Sequence, residues 1–149
     1  MDKRFYITTP IYYPSARPHM GHAYSSIIAD FFARFKRMDG FDVQFLTGTD
    51  EHGLKIQRSA EKQNIDPLEF CNQISQTFRN LSQTLNLSNT DFIRTTEERH
   101  KKTVQHLWTN LEKNDDIYLS KYSGWYSVSD EAFYSDEEIS EKENIKIAT

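Results

Sequence analysis

Two imidazoles three positions apart, His19 and His22, flank Gly21 in the stretch Pro14-Ser15-Ala16-Arg17-Pro18-His19-Met20-Gly21-His22-Ala23. A β-prone run, Phe5 to Thr9, leads into it, and a long amphipathic run, Tyr24 to Met38, leads out. Where a strand gives way to a helix, backbone N–H groups and the positive end of the helix dipole favour an anion. Imidazoles placed there can donate hydrogen bonds to phosphate oxygens. Gly21 has no Cβ, so a flat ligand can lie directly on its backbone. The stretch is a candidate nucleotide-phosphate site. Two other readings fit the same residues: ordinary histidines at a helix start, or two ligands of a metal site that Asp50 or His52 would have to complete.

A second group of reactive side chains sits in Thr47-Gly48-Thr49-Asp50-Glu51-His52-Gly53. Its plain reading is a capped turn entering a helix. Its placement gives it a second one. Phe41 to Leu46 alternates as a strand does, and the helix between the two strands ends at Gly40. If these three elements form one βαβ unit of a parallel sheet, both loops open at the carboxyl edge, where α/β proteins bind ligands. Asp50 and His52 then approach His19 and His22 across the ~30 residues of one such unit. Tyr12 and Tyr13 are either core or the wall of a pocket beside the phosphate site.

The remaining elements support an α/β fold. Tyr24, Ile28, Phe31, Phe32 and Phe35 recur at helical spacing and read as a core stripe, with Arg34, Lys36 and Arg37 at the helix end. Leu54 to Gln63 reads as a helix, and Asp66-Pro67 as the cap and first turn of another, with Cys71, Ile74, Phe78, Leu81 and Leu85 on one face. Phe92-Ile93-Arg94 reads as a short third strand. Thr95 with Glu98 reads as a capping box for a helix that buries Val104, Leu107, Trp108 and Leu111. Lys101-Lys102 is a solvated face, with an RNA contact as the alternative. The pattern changes near residue 115, after which 117–122 and 124–128 read as short strands and the acidic run to Glu143 as solvated surface.

Composition narrows the classes. The 149 residues, 37% hydrophobic and 13% aromatic, suffice for an ordered domain with a core. A net charge of −4 does not advertise non-specific nucleic-acid binding; RNA binding stays open through a local patch or a missing part of the protein, and no DNA partner is expected. Cys71 is the sole cysteine, so neither an internal disulfide nor a multi-cysteine zinc site can form, and a reducing, cytoplasmic setting is expected. No apolar run approaches the ~20 residues of a bilayer span, and no signal segment precedes the first strand, so no membrane partner is expected.

Together these motifs resemble the amino-terminal part of class I aminoacyl-tRNA synthetases, and among them the methionyl enzymes. Pro14–Ala23 is similar to the class I "HIGH" signature. Thr-Gly-Thr-Asp-Glu-His-Gly at 47–53 is similar to the methionyl form, as are 5–13, 92–96 and Gly124-Trp125-Tyr126. The resemblance implies the first half of a Rossmann-like catalytic domain over 1–115, then the start of a small β-rich connective insertion over 116–149. It implies ATP-dependent activation of methionine and transfer to tRNA(Met), with Mg²⁺. His19 and His22 would be catalytic, and His19, Gly21 and His22 would bind ATP. Pro10, Ile11, Tyr13, Asp50 and His52 would bind methionine. Ser127 and Asp130 stand where several members carry metal-binding cysteines, so no zinc is expected. The second family signature, Lys-Met-Ser-Lys-Ser, does not occur, and the resemblance therefore implies a fragment inactive alone. The rival readings are another class I synthetase for an aliphatic amino acid and a non-catalytic nucleotide- or tRNA-binding module.

Overall fold

A computed structural model describes residues 3–128, 130–142 and 145–148. Met1 and Asp2 of the N-terminal lead-in, Ser129, the end of the acidic run at Glu143, Asn144 and the terminal Thr149 lie outside the described residues. The chain divides into two compact units, Met1–Leu107 and Trp108–Thr149.

The first unit is built on a parallel three-stranded sheet in the order β1-β2-β3. Its strands are β1 (Arg4–Thr8), β2 (Asp42–Thr49) and β3 (Asp91–Arg94). Phe5 lies opposite Val43, and Leu46 opposite Asp91. Helix α1 (Met20–Met38) connects β1 to β2; α2 (Leu54–Gln63) and α3 (Pro67–Thr84) connect β2 to β3; α4 (Glu98–Lys113) follows. The local signals explain where these elements stop. Gly40 takes a left-handed φ of +78° just past α1, and the Phe41 N–H turns back to the Lys36 carbonyl. Asp66 accepts from the Leu68 and Glu69 N–H groups at the start of α3, with Pro67 in its first turn.

The α1 core stripe is a correction. Phe31, Phe32 and Phe35 are exposed (64, 47 and 53%), as are Tyr24 and Ile28. The helix instead buries Ala23, Ser26, Ala29, Asp30 and Ala33, and Ala29 and Ala33 pack on Val43 and Phe45. Small side chains let the helix approach the sheet closely, and a polar clamp sets its rotation. Asp30 accepts from the Ser88 N–H (2.7 Å), the Ser88 hydroxyl and Arg34 Nε (2.6 Å), while Arg37 donates to the Ser88 carbonyl. Burial works to raise the Asp30 carboxyl pKa, but the bonds from Ser88 and Arg34 outweigh it and hold it below its ordinary value.

Helix α4 is a second correction, because it buries none of its residues and exposes Val104, Leu107 and Trp108. The Thr95 capping box also gives way, since that hydroxyl is taken by the loop after β2. In the second unit the expected strand at 117–122 has no pairing partner among the described residues. The hairpin is β4 (Trp125–Ser127) with β5 (Ala132–Tyr134), antiparallel. Its turn uses Glu131 at a left-handed φ of +54°, and the Ser127 and Tyr134 hydroxyls donate to Asp130 at 2.6 and 3.2 Å. A 3₁₀ turn at Asp136–Glu138 leads to a second antiparallel pair, β6 (Ile139–Lys142) with β7 (Ile145–Ala148).

Two substitutions separate what the packing needs from what composition suggests. A Cβ on Gly48 would stand 2.0 Å from the Ile93 carbonyl oxygen. Gly48→Ala should therefore cost roughly 1–3 kcal/mol in chemical denaturation, as overpacking does. Phe31→Ser should shift the same midpoint by no more than about 0.5 kcal/mol, the usual range for a surface position.

Candidate active site

The two loops meet through one residue. The Tyr12 N–H donates to the Gly48 carbonyl (3.0 Å), and the Asp50 N–H donates to the Tyr12 carbonyl (2.8 Å), extending the parallel ladder past the end of β1. The Tyr12 side chain is 5% exposed. Its ring stacks on Phe78 of α3 (5.4 Å between centroids) and meets the edge of His22 (5.0 Å), and its hydroxyl bonds with Ser26 (2.6 Å). Tyr12 is thus both core and the support of the histidine site.

The histidines cap their own helix. The Gly21 N–H donates to His19 Nδ1 and the His19 N–H donates to His22 Nδ1, each at 3.0 Å, a reciprocal capping box made of imidazoles. A backbone N–H can only donate, so both Nδ1 atoms carry lone pairs and both protons sit on Nε2. The rings lie 3.9 Å apart, and His22 also meets the Phe78 edge at 5.1 Å. This revises which groups meet a ligand. The backbone N–H groups of His19 and Gly21 are occupied by the rings, and the outward donors are the two Nε2–H groups. Gly21 has its own reason to lack a Cβ, which would come 2.8 Å from His19 Cε1. No acidic side chain occupies the first turn of α1, so the dipole there is open to an anion.

Pro10, Ile11, Tyr13, His19, Gly21 and His22 line one open cleft of about 570 Å³. Arg17 and Lys55 line it as well. Sequence reasoning assigned neither a role. Arg17 lies inside the quoted stretch and was visible there, whereas Lys55 arrives from α2 only through the fold. Asp50, at the mouth of β2, is joined to this group through its bond to Tyr12, and its carboxylate accepts from Thr95 Oγ1 at 3.4 Å. His52 is separated from the group. Its Nε2 lies 3.3 Å from the Thr95 carbonyl, and it lines a different cleft.

Glu51, passed over between Asp50 and His52, fixes the loop. Its side chain is buried, and its carboxylate takes Arg94 Nε at 2.7 Å, Thr49 Oγ1 at 2.8 Å and the Thr96 hydroxyl. Burial opposes its charge, but these bonds hold its pKa below the ordinary carboxylate value. The Glu51 N–H donates to Thr95 Oγ1 (2.8 Å), and Arg94 reaches on to Asn72 of α3. The signal was present as an acid in one loop and Arg94-Thr95-Thr96 in another, but nothing local pairs residues 43 apart. Cys71 lies beneath, its thiol pushed up to about 11 by burial and the Glu51 charge, and Sγ donates to the Glu51 carbonyl at 3.7 Å. Among the described residues no three His, Cys, Asp or Glu side chains gather to hold a metal ion.

Burial, followed by the charge of His19, lowers the His22 pKa below 6.5. The unfolded chain therefore takes up this proton more readily than the folded one, and stability falls as pH drops below about 6.5. Protonating Nδ1 also removes the acceptor of the His19 N–H. The His22 ring should titrate with a midpoint under 6.5 by NMR, with amide exchange in the first turn of α1 accelerating over the same range. A midpoint above 6.5 would contradict this geometry.

The family described as tRNA synthetases class I (M) matches residues 5–144. The methionine–tRNA ligase of Rickettsia bellii is 55% identical over 139 residues, 93% of this chain and 27% of that protein. That of Bacillus subtilis is 52% identical over 138 residues, 93% of this chain and 21% of that protein. The chain therefore spans about a quarter of the length of these relatives. Among solved structures, the Mycobacterium tuberculosis methionyl-tRNA synthetase bound by methionyl-adenylate superposes with a TM-score of 0.93 at 44% identity, covering 98% of this chain and 29% of that one. A leucyl enzyme from Agrobacterium radiobacter shares the fold at a TM-score of 0.73 and 21% identity. With the parallel sheet, the two joined loops and the match over nearly its whole length, the chain belongs to the class I tRNA synthetases of the methionyl branch.

Proposed function

We propose that this chain supplies the ATP- and methionine-binding half of a methionine–tRNA ligase, which activates methionine as methionyl-adenylate and passes it to tRNA(Met). The observation that carries this reading is the pair of Nε2–H donors held over a cationic cleft by the imidazole capping box, with Asp50 tied to the same edge. A methionine carboxylate oxygen attacks the ATP α-phosphorus, the bond to the bridging oxygen breaks, and pyrophosphate leaves. Charge builds on the phosphate oxygens during this step. Donors already fixed in place stabilise it without reorganising, which lowers the barrier more than it tightens ATP binding. His19 and His22 do this, Arg17 and Lys55 add positive charge, and Gly21 lies under the nucleotide. Mg²⁺ would accompany ATP as part of the substrate, supplying further positive charge to the phosphates.

Asp50 holds the methionine ammonium by a charge-assisted bond. Pro10, Ile11 and Tyr13 receive the thioether, and an aromatic ring beside sulfur contributes up to about 1 kcal/mol. Residues 1–115 are read as catalytic domain and 116–149 as the start of the connective insertion. A cytoplasmic setting goes with this role in translation.

A chimera tests the reading. Residues 5–144 would replace the matched segment of the Bacillus subtilis relative, and ATP–pyrophosphate exchange would be measured with each aliphatic amino acid and methionine. Exchange with methionine is expected. Exchange with leucine or valine instead would assign another synthetase, and none with any amino acid in a folded chimera would favour a non-catalytic module. His22→Asn in an active chimera should lower kcat by roughly 100-fold with little change in KM for ATP; equal losses would mark a ground-state contact.

A further inference from the structure

A second cleft, of about 230 Å³, is lined by His52, Thr95, His100, Lys101, Val104 and Gln105 and shares no lining residue with the histidine cleft. We propose that it is a separate ligand site that takes a ribose-phosphate unit, either of a free nucleotide or of an RNA end.

The chemistry of the lining selects this ligand. His52 Nε2 lies 3.3 Å from the Thr95 carbonyl. A carbonyl only accepts, so Nε2 donates and Nδ1 keeps its lone pair as an acceptor for a hydroxyl. The His100 ring, half-buried on α4, has no hydrogen-bond or ion-pair partner among the described residues and offers a donor. Lys101 adds an ammonium. Its contact with Glu98 is 3.4 Å long, and the Glu98 side chain is 74% exposed. Such a pair contributes little, so a phosphate can take its place at small cost. No carboxylate lines the cleft. An ammonium beside two imidazoles repels a metal cation and attracts an oxyanion, while Val104 gives an apolar patch for the sugar. Donors for an oxyanion and an acceptor for a hydroxyl fit any phosphate, and the apolar patch at Val104 favours a sugar phosphate, since inorganic phosphate has no apolar part to set against it. The volume falls below the ~300 Å³ where drug-sized pockets begin, which suits part of a nucleotide rather than the whole. The inference does not rest on the proposed function: the cleft shares no lining residue with the histidine cleft, and His52, expected from the sequence to bind methionine, lies here instead.

The test is an NMR titration of the 149-residue chain, following the ring signals of all five histidines. Adenosine monophosphate, the trinucleotide CCA and inorganic phosphate are the probes. Saturable shifts of His52 and His100 are expected with the nucleotide, the RNA or both. They should follow a binding curve distinct from that of His19 and His22, and inorganic phosphate should bind more weakly. Tighter binding of CCA assigns the site to an RNA end; equal or tighter binding of adenosine monophosphate assigns it to a free nucleotide. Lys101→Ala should weaken binding at His52 and His100 by about fivefold, an exposed charge contact's worth, and leave the His19 and His22 curve unchanged. The proposal is overturned if His52 and His100 stay silent, if Lys101→Ala changes nothing, or if inorganic phosphate binds as tightly as the nucleotide.

Discussion

The site depends on Tyr12. Its backbone joins the loop after β1 to the loop after β2, bonding Gly48 on one side and Asp50 on the other. Its ring is sandwiched between α3, through Phe78, and the first turn of α1, through His22. Its hydroxyl is satisfied by Ser26, so the buried tyrosine carries no unpaired polar atom. Four elements are therefore set relative to one another by one residue. The proposed ammonium-binding carboxylate and the proposed phosphate donors inherit that spacing. A rigid support of this kind is what electrostatic stabilisation of a short-lived charge requires, because donors that must first move into place lose most of their advantage.

The histidines show how a helix start can be capped and still keep outward donors for the proposed ligand. A serine or aspartate cap would satisfy the backbone and leave nothing to donate outward. An imidazole has two nitrogens on opposite sides of one ring. Accepting the backbone proton at Nδ1 fixes the tautomer and leaves Nε2–H facing out. Capping and the proposed ligand binding are thus one arrangement, and losing a proton acceptor at low pH would undo both. The buried pair of Glu51 and Arg94 plays the corresponding part for the second loop. Its benefit is specificity of placement, since buried ion pairs contribute modestly to net stability.

The exposed aromatic face of α1 follows from the same economy of contact. The helix touches the sheet through alanines and a clamped aspartate, so its larger side chains point away. The first unit also leaves one edge of β1 with no strand beside it among the described residues. Exposed apolar side chains grouped on one helix face are a usual mark of an interaction surface. Such a face agrees with a chain that corresponds to about a quarter of its relatives' length.

Local chemistry was legible in the sequence. The stop at Gly40, the Asp66-Pro67 start, the three strands and the α/β class each depend on residues close together in the chain, where propensity and steric restriction act. The motifs at 14–23 and 47–53 gave the family for the same reason, since each is a continuous run. Tertiary structure decided everything that required two distant segments to meet. Periodicity found the Phe31, Phe32 and Phe35 stripe but could not say which face of α1 lies on the sheet, because Ala29, Ala33 and the Asp30–Ser88 clamp outcompete bulk. It gave α4 an apolar face that no described residue buries. It saw Asp50 and His52 as neighbours, and the fold ties the Asp50 backbone to Tyr12 while the His52 ring turns to the Thr95 carbonyl and lines a cleft with His100. Burial, tautomer and partner are properties of an assembled environment, and a run of residues contains them only once it has folded.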